Sequence, residues 1–178
     1  MNYKLCVKKV VISAFAFALC AISFGQSKVE VKQVDGQKAA IIKVTTTFAA
    51  VSQKMGEVYG KLFSYLGTNN IQPAGPPFAI YYEFNPQGNV VFEAGVPVSA
   101  SFKGTEEIVY KEYPSMKVVS YLYVGPYEKE GPVYEMLTKY VKDNNLQYTG
   151  VPWETYLTDP QQETDPNKYQ TIIYFPLK

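Results

Sequence analysis

Glu154 stands in the run GVPWETYLTDP, residues 150–160, with Trp153 before it and Tyr156 two positions on. Alternate side chains of an extended strand share a face. Glu154 and Tyr156 therefore point one way, and Trp153, Thr155 and Leu157 the other. A carboxyl group beside a phenol suits two kinds of chemistry. It can hold a cation, helped by the negative faces of nearby rings. It can also serve as general base or nucleophile while the phenol supplies a proton. By the same alternation Tyr121 and Tyr123 share a face in VVSYLYVG, residues 118–125. Pattern alone leaves open that Glu154 is an ordinary strand residue and that the tyrosines are sheet aromatics, which strands favour.

Absences narrow the chemistry further. The 178 residues contain no His and only two Cys, Cys6 and Cys20, and all 17 basic residues are Lys. Without His there is no Ser–His–Asp triad, and the usual zinc sites lack their ligands. Lysine cannot make the planar bidentate contacts with which arginine reads guanine or clamps phosphate. No glycine-rich phosphate loop is present, so neither nucleic acid nor a nucleotide cofactor is expected. In the loop QQETDP, Glu163 and Asp165 fall short of the six to eight oxygens calcium takes, so no metal site is expected.

The chain begins with the basic run MNYKLCVKK and continues with the apolar run VVISAFAFALCAISF, Val10 to Phe24. Ser23 and Gly25 then stand where a signal-peptide cleavage site wants small residues. An apolar run this short falls below the ~20 residues of a membrane-spanning helix. The expectation is a signal peptide over 1–25 and an exported, periplasmic or secreted domain over 26–178. A lipid-modified Cys20 is the rival reading. Lys4, Lys8 and Lys9 leave with the signal, so the formal net charge of +1 becomes −2. Both cysteines leave too, and stability must come from an ordinary core rather than a disulfide.

What positions Glu154 is a repeat. NNIQPAGPP at residues 69–77 returns as NNLQYTGVP at 144–152, an offset of 75 residues. At that offset Gly56 meets Gly131, Tyr59 meets Tyr134, Leu62 meets Leu137, Tyr81 meets Tyr156 and Ala79 meets Glu154. Such self-similarity marks a duplicated supersecondary unit. Met55, Val58, Tyr59, Leu62, Phe63 and Leu66 form one helical stripe, and Val133, Met136, Leu137, Tyr140 and Val141 the other. Pro132 suits a first helical turn, and the Asn pairs of GTNN and KDNN suit helix ends. A β-rich run precedes each helix, KAAIIKVTTT or MKVVSYLYVG, and a strand pair follows it. KVEVKQV and EEIVYKEY supply edge strands. The expected fold is α+β: two strand–helix–strand–strand units, about 28–98 and 106–178, joined by a linker at 99–105. The Trp153 side of the signature strand is the bulkier and more apolar, which assigns it to the helices and turns Glu154 away from them.

These residues also resemble a known family. GVPWETYLTDP is similar to the signature strand of the GyrI-like small-molecule-binding domain, the effector-binding domain of AraC- and MerR-type transcription activators. YVGPYEKEGPVYEML resembles that family's lead-in to its second helix, and PAGPPFAIYYEF with FEAGVPV resembles its first half. The resemblance covers residues 28–178. It implies a pseudo-two-fold domain with a ligand cleft between the two sheets, and it places Glu154 in that cleft, facing cationic, lipophilic or aromatic ligands. Some members hydrolyse small molecules with this carboxylate. The chain departs from the activators in carrying a signal sequence where they carry a DNA-binding domain.

The reading is a small-molecule-binding protein with Glu154, Tyr156, Tyr81, Tyr121, Tyr123 and Trp153 as candidate ligand-binding residues. One alternative is a small-molecule hydrolase with Glu154 catalytic and a nearby Tyr donating the proton. A second is a protein-interaction or inhibitor module. None of these motifs encodes oligomeric state.

Overall fold

Runs of β-branched and aromatic residues become strands, and the two apolar stripes become helices. A computed structural model describes residues 28–178, so the signal-peptide segment lies outside the described residues. Strands β1 (Glu30–Val34) and β2 (Gln37–Thr47) lead into helix α1 (Val51–Thr68), which is followed by β3 (Phe78–Phe84) and β4 (Asn89–Pro97). The second half repeats the order with β5 (Val109–Tyr113), β6 (Met116–Val124), α2 (Gly131–Asp143), β7 (Trp153–Tyr156) and β8 (Gln170–Pro176). Pro132 lies in the first turn of α2. Asn70 and Asn145, 75 residues apart, take positive φ values of 54° and 53° just after the helices. Asn tolerates that left-handed geometry better than most residues.

All eight strands form one antiparallel sheet in the order β1-β6-β8-β7-β3-β4-β2-β5. The two four-stranded halves meet edge to edge at β3 and β7, where Ala79 pairs with Glu154. These two residues are equivalents in the repeat, so the pseudo-two-fold axis passes between them. The edge strands are exchanged: β1 pairs with β6 of the second half, and β5 with β2 of the first. The register runs unbroken through both short connections, with Val34 opposite Met116 and Gln37 opposite Tyr113. This crossing draws the two outer ends of the sheet together and curls it.

Curling gives each face its own core. On the outer face, Val58, Leu62 and Leu66 of α1 pack on Ala40, Ile42, Phe92 and Ala94. Leu137 and Val141 of α2 pack on Val119, Ile173 and Phe175. The inner face closes on itself around Ala39, Ile41, Phe78, Ile80, Tyr113 and Trp153. The expected facing of β7 is thus inverted. Trp153 points into the curl, away from the helices, and Glu154 lies on the helix side. The bulk of the Trp153 side does reflect burial, but the curled sheet itself supplies the cover. The stripes are also narrower than expected. Phe63 and Met136 are exposed, because each helix rests on the sheet through i, i+4 positions alone.

A ring of tyrosines around two buried carboxyl groups

Each helix contributes one tyrosine to the seam. Tyr59 of α1 donates its hydroxyl hydrogen to the Phe78 carbonyl at 2.7 Å. Its equivalent, Tyr134 of α2, donates to Oε1 of Glu154. The same helical position thus meets a neutral carbonyl in one half and a carboxyl group in the other. Tyr156 donates to Oε2 of Glu154 at 2.8 Å. The Tyr156 hydrogen being committed, Tyr81 donates to Tyr156 oxygen across 3.0 Å. Tyr81 and Tyr156 are themselves equivalents, touching across the pseudo-two-fold axis. Four phenols from four elements therefore gather around a carboxyl group that is only 5% exposed.

Burial pushes the phenols of Tyr59, Tyr81, Tyr134 and Tyr156 well above the usual tyrosine range, and the Glu154 charge raises each further. They stay protonated and remain donors at any ordinary pH. Tyr127, in the turn before α2, is pushed up to about 12, chiefly by burial and then by Glu130.

The groove between the helices is filled with rings. Tyr156 lies edge-on between Tyr59, at 6.3 Å, and Tyr127, at 5.7 Å. Tyr127 also leans on Tyr169 at 5.3 Å. Such edge-to-face pairs are worth about 0.5–1.5 kcal/mol each beyond their buried area. That is small enough for a ligand ring to replace one of them.

A second carboxyl group belongs to the cluster. Glu130, at the N-terminal boundary of α2, is 7% exposed, and its carboxyl sits beside Glu154 and the Thr171 hydroxyl. Burial, followed by the neighbouring Glu154, drives the Glu130 carboxyl well above the usual carboxylate range. Its repeat equivalent in the first half is Met55, as that of Glu154 is Ala79. Both acids thus come from one copy of a duplicated frame.

Of the sequence candidates, Glu154, Tyr156 and Tyr81 come together directly. Tyr121 and Tyr123 lie on the helix side but two strands from β7, opposite Ile173 and Thr171. The Tyr123 hydroxyl is engaged by the Pro126 carbonyl at 3.0 Å. Trp153 lies on the other face, against Phe78, Tyr113 and Tyr174. Sequence reasoning missed Glu130, Tyr59 and Tyr134 as site residues. A signal for the last two was present: a tyrosine on a buried helix stripe needs a partner for its hydroxyl.

The sequence matches the GyrI-like small-molecule-binding domain over residues 27–178. The chain belongs to that family. Its fold is shared with the EcmrR C-terminal domain, at 20% identity and a TM-score of 0.70, covering 85% of this chain and 98% of that one. EcmrR in its DNA complex matches at 18% identity and a TM-score of 0.76; the chain spans 57% of the length of that protein and 85% of its own. SAV2435 bound to tetraphenylphosphonium matches at 15% identity and a TM-score of 0.57, covering 85% of this chain and 94% of that one. Identities this low speak for the fold alone. Among curated proteins none matches the sequence. As a GyrI-like domain the chain is a small-molecule-binding module, and among its described residues no helix is long and apolar enough to cross a membrane.

Proposed function

We propose that this GyrI-like domain binds an amphipathic aromatic cation at the seam between α1 and α2, with Glu154 as counter-charge and the surrounding tyrosines as walls. One observation carries the reading. Glu154 is buried among phenols, and no lysine among the described residues pairs with it. A buried carboxylate without a cationic partner is costly, and a ligand cation relieves that cost while meeting the negative faces of the rings. The relative solved with tetraphenylphosphonium supports this ligand class. Entry requires Tyr156, Tyr59 or Tyr127 to swing aside.

Tetraphenylphosphonium is the natural probe, titrated calorimetrically into the wild type and Glu154→Gln. Losing a charged interaction should weaken binding by about 1–3 kcal/mol, roughly tenfold to a hundredfold. Neutral triphenylphosphine oxide should lose much less. Equal tetraphenylphosphonium affinity in both proteins would refute the reading. A second reading, hydrolysis of a small electrophile with Glu154 as nucleophile or base, draws on the 2.8 Å contact that positions Tyr156 as proton donor. On that reading Glu154→Gln should abolish turnover while binding survives.

The domain is further proposed to be exported after cleavage behind Gly25, as residues 26–178. Mass spectrometry of the mature protein should then find Gln26 at its N-terminus without acylation. An acylated Cys20 would overturn this.

A further inference from the structure

The binding reading above uses one carboxyl group, and the structure holds two. Glu130 is buried at the N-terminal boundary of α2, and its Oε1 has no hydrogen-bond partner. The hydroxyl of Thr171 beside it is fully buried and likewise unpartnered. Every described element packed around Glu130 presents a neutral or acidic group: Glu154 from β7, Tyr81 from β3, Tyr123 from β6, Tyr127 and Glu128 from the turn before α2, and Tyr134 from α2. No lysine among the described residues forms an ion pair with Glu130 or Glu154. The cluster therefore carries two acids, two idle buried oxygens and no positive charge. Two carboxyl groups this close cannot both ionise cheaply. Burial and Glu154 together favour the protonated form of Glu130, so at neutral pH the pair holds one proton and presents one negative charge.

We propose that Glu130 is the second anionic anchor of this site, taking the far positive charge of a dicationic aromatic ligand and giving up one proton as it does so. This rests on the binding reading and deepens it by naming the ligand class. A monocation needs only Glu154 and leaves the proton in place. A second fixed positive charge makes ionised Glu130 favourable, and the proton departs to solvent. Affinity for the dication should then rise with pH, by up to tenfold per unit, while affinity for the monocation stays flat. The asymmetry of the duplicated frame fits this, since Met55 and Ala79 at the equivalent positions leave the opposite wall without charge.

The probes are phenyltrimethylammonium and 1,4-phenylenebis(trimethylammonium). Their charges are quaternary, so any proton exchanged belongs to the protein. Calorimetry at pH 7 in phosphate and in Tris, whose ionisation heats differ, counts the protons released. The wild type should release close to one proton with the bis-cation and none with the monocation. Glu130→Gln should abolish that release and the pH slope yet leave monocation affinity within about twofold. Glu154→Gln should weaken both probes. Bis-cation binding without proton release or pH slope in the wild type would overturn the role of Glu130 and leave the monocation site intact. Failure of both probes and of tetraphenylphosphonium to bind would instead remove the binding reading, and this inference with it. The wild-type measurements decide the matter even if a variant does not fold.

Discussion

The duplicated frame supplies its own control for the electrostatics of the site. Tyr59 and Tyr134 hold equivalent helical positions, and each uses its hydroxyl at the seam, one on a backbone carbonyl and the other on Glu154. Replacing either with Phe keeps the ring and removes only the hydroxyl. For Tyr59→Phe the loss is a neutral hydrogen bond, about 0.5–1.5 kcal/mol. For Tyr134→Phe the acceptor is a buried carboxyl group left with Tyr156 as its remaining phenol donor, and such a bond is worth about 1.5–3 kcal/mol. The expected difference is therefore about 1 kcal/mol, with Tyr134→Phe the more damaging. Urea unfolding at pH 7 would measure it, followed by the fluorescence of Trp153, the one tryptophan in the chain, and by circular dichroism. A double-mutant cycle sharpens the test. In a Glu154→Gln background the cost of Tyr134→Phe should fall into the neutral range, giving a coupling of about 1 kcal/mol. The same background should leave Tyr59→Phe unchanged. Equal costs for the two substitutions, or no coupling between Tyr134 and Glu154, would refute the claim that the asymmetric carboxyl group sets the energetics of the seam.

The remaining predictions concern the two cores. Leu62→Ala and Leu137→Ala remove fully buried equivalents and should each cost about 2–5 kcal/mol; urea titrations showing neither loss would mean the stripes are not core. Gly95 lies under the Phe78 ring, and a Cβ there would sit 2.3 Å from Cζ of that ring. Because Phe78 is also wedged against Tyr113 and Trp153, Gly95→Ala should cost about 1–3 kcal/mol by overpacking. An unchanged melting temperature would show that the inner face is loosely packed.

The sequence by itself determined the order of elements. Apolar spacing separates helix from strand, Pro and Asn mark helix ends, and the offset of 75 residues pairs the halves. All these signals are local or strictly periodic, so they survive without coordinates. The strand alternation that grouped Glu154 with Tyr156, and Ala79 with Tyr81, is of the same kind. Which face the helices cover is not. Bulk on the Trp153 side reports that the side is buried, not what buries it. A sheet whose edge strands are exchanged between halves curls, and it can close over Trp153 and Phe78 without a helix. Only the tertiary structure turned Glu154 toward α1 and α2. Only it placed Ala79 opposite Glu154 on the pseudo-two-fold axis, because pairing across β3 and β7 is a long-range contact with no local signature. Glu130 shows the limit most plainly. In the run YEKEGPVYEML it reads as one charge among several at the start of a helix. Its burial beside Glu154 depends on how α2 lies across β7 and β8, and that is settled by packing between segments more than 20 residues apart.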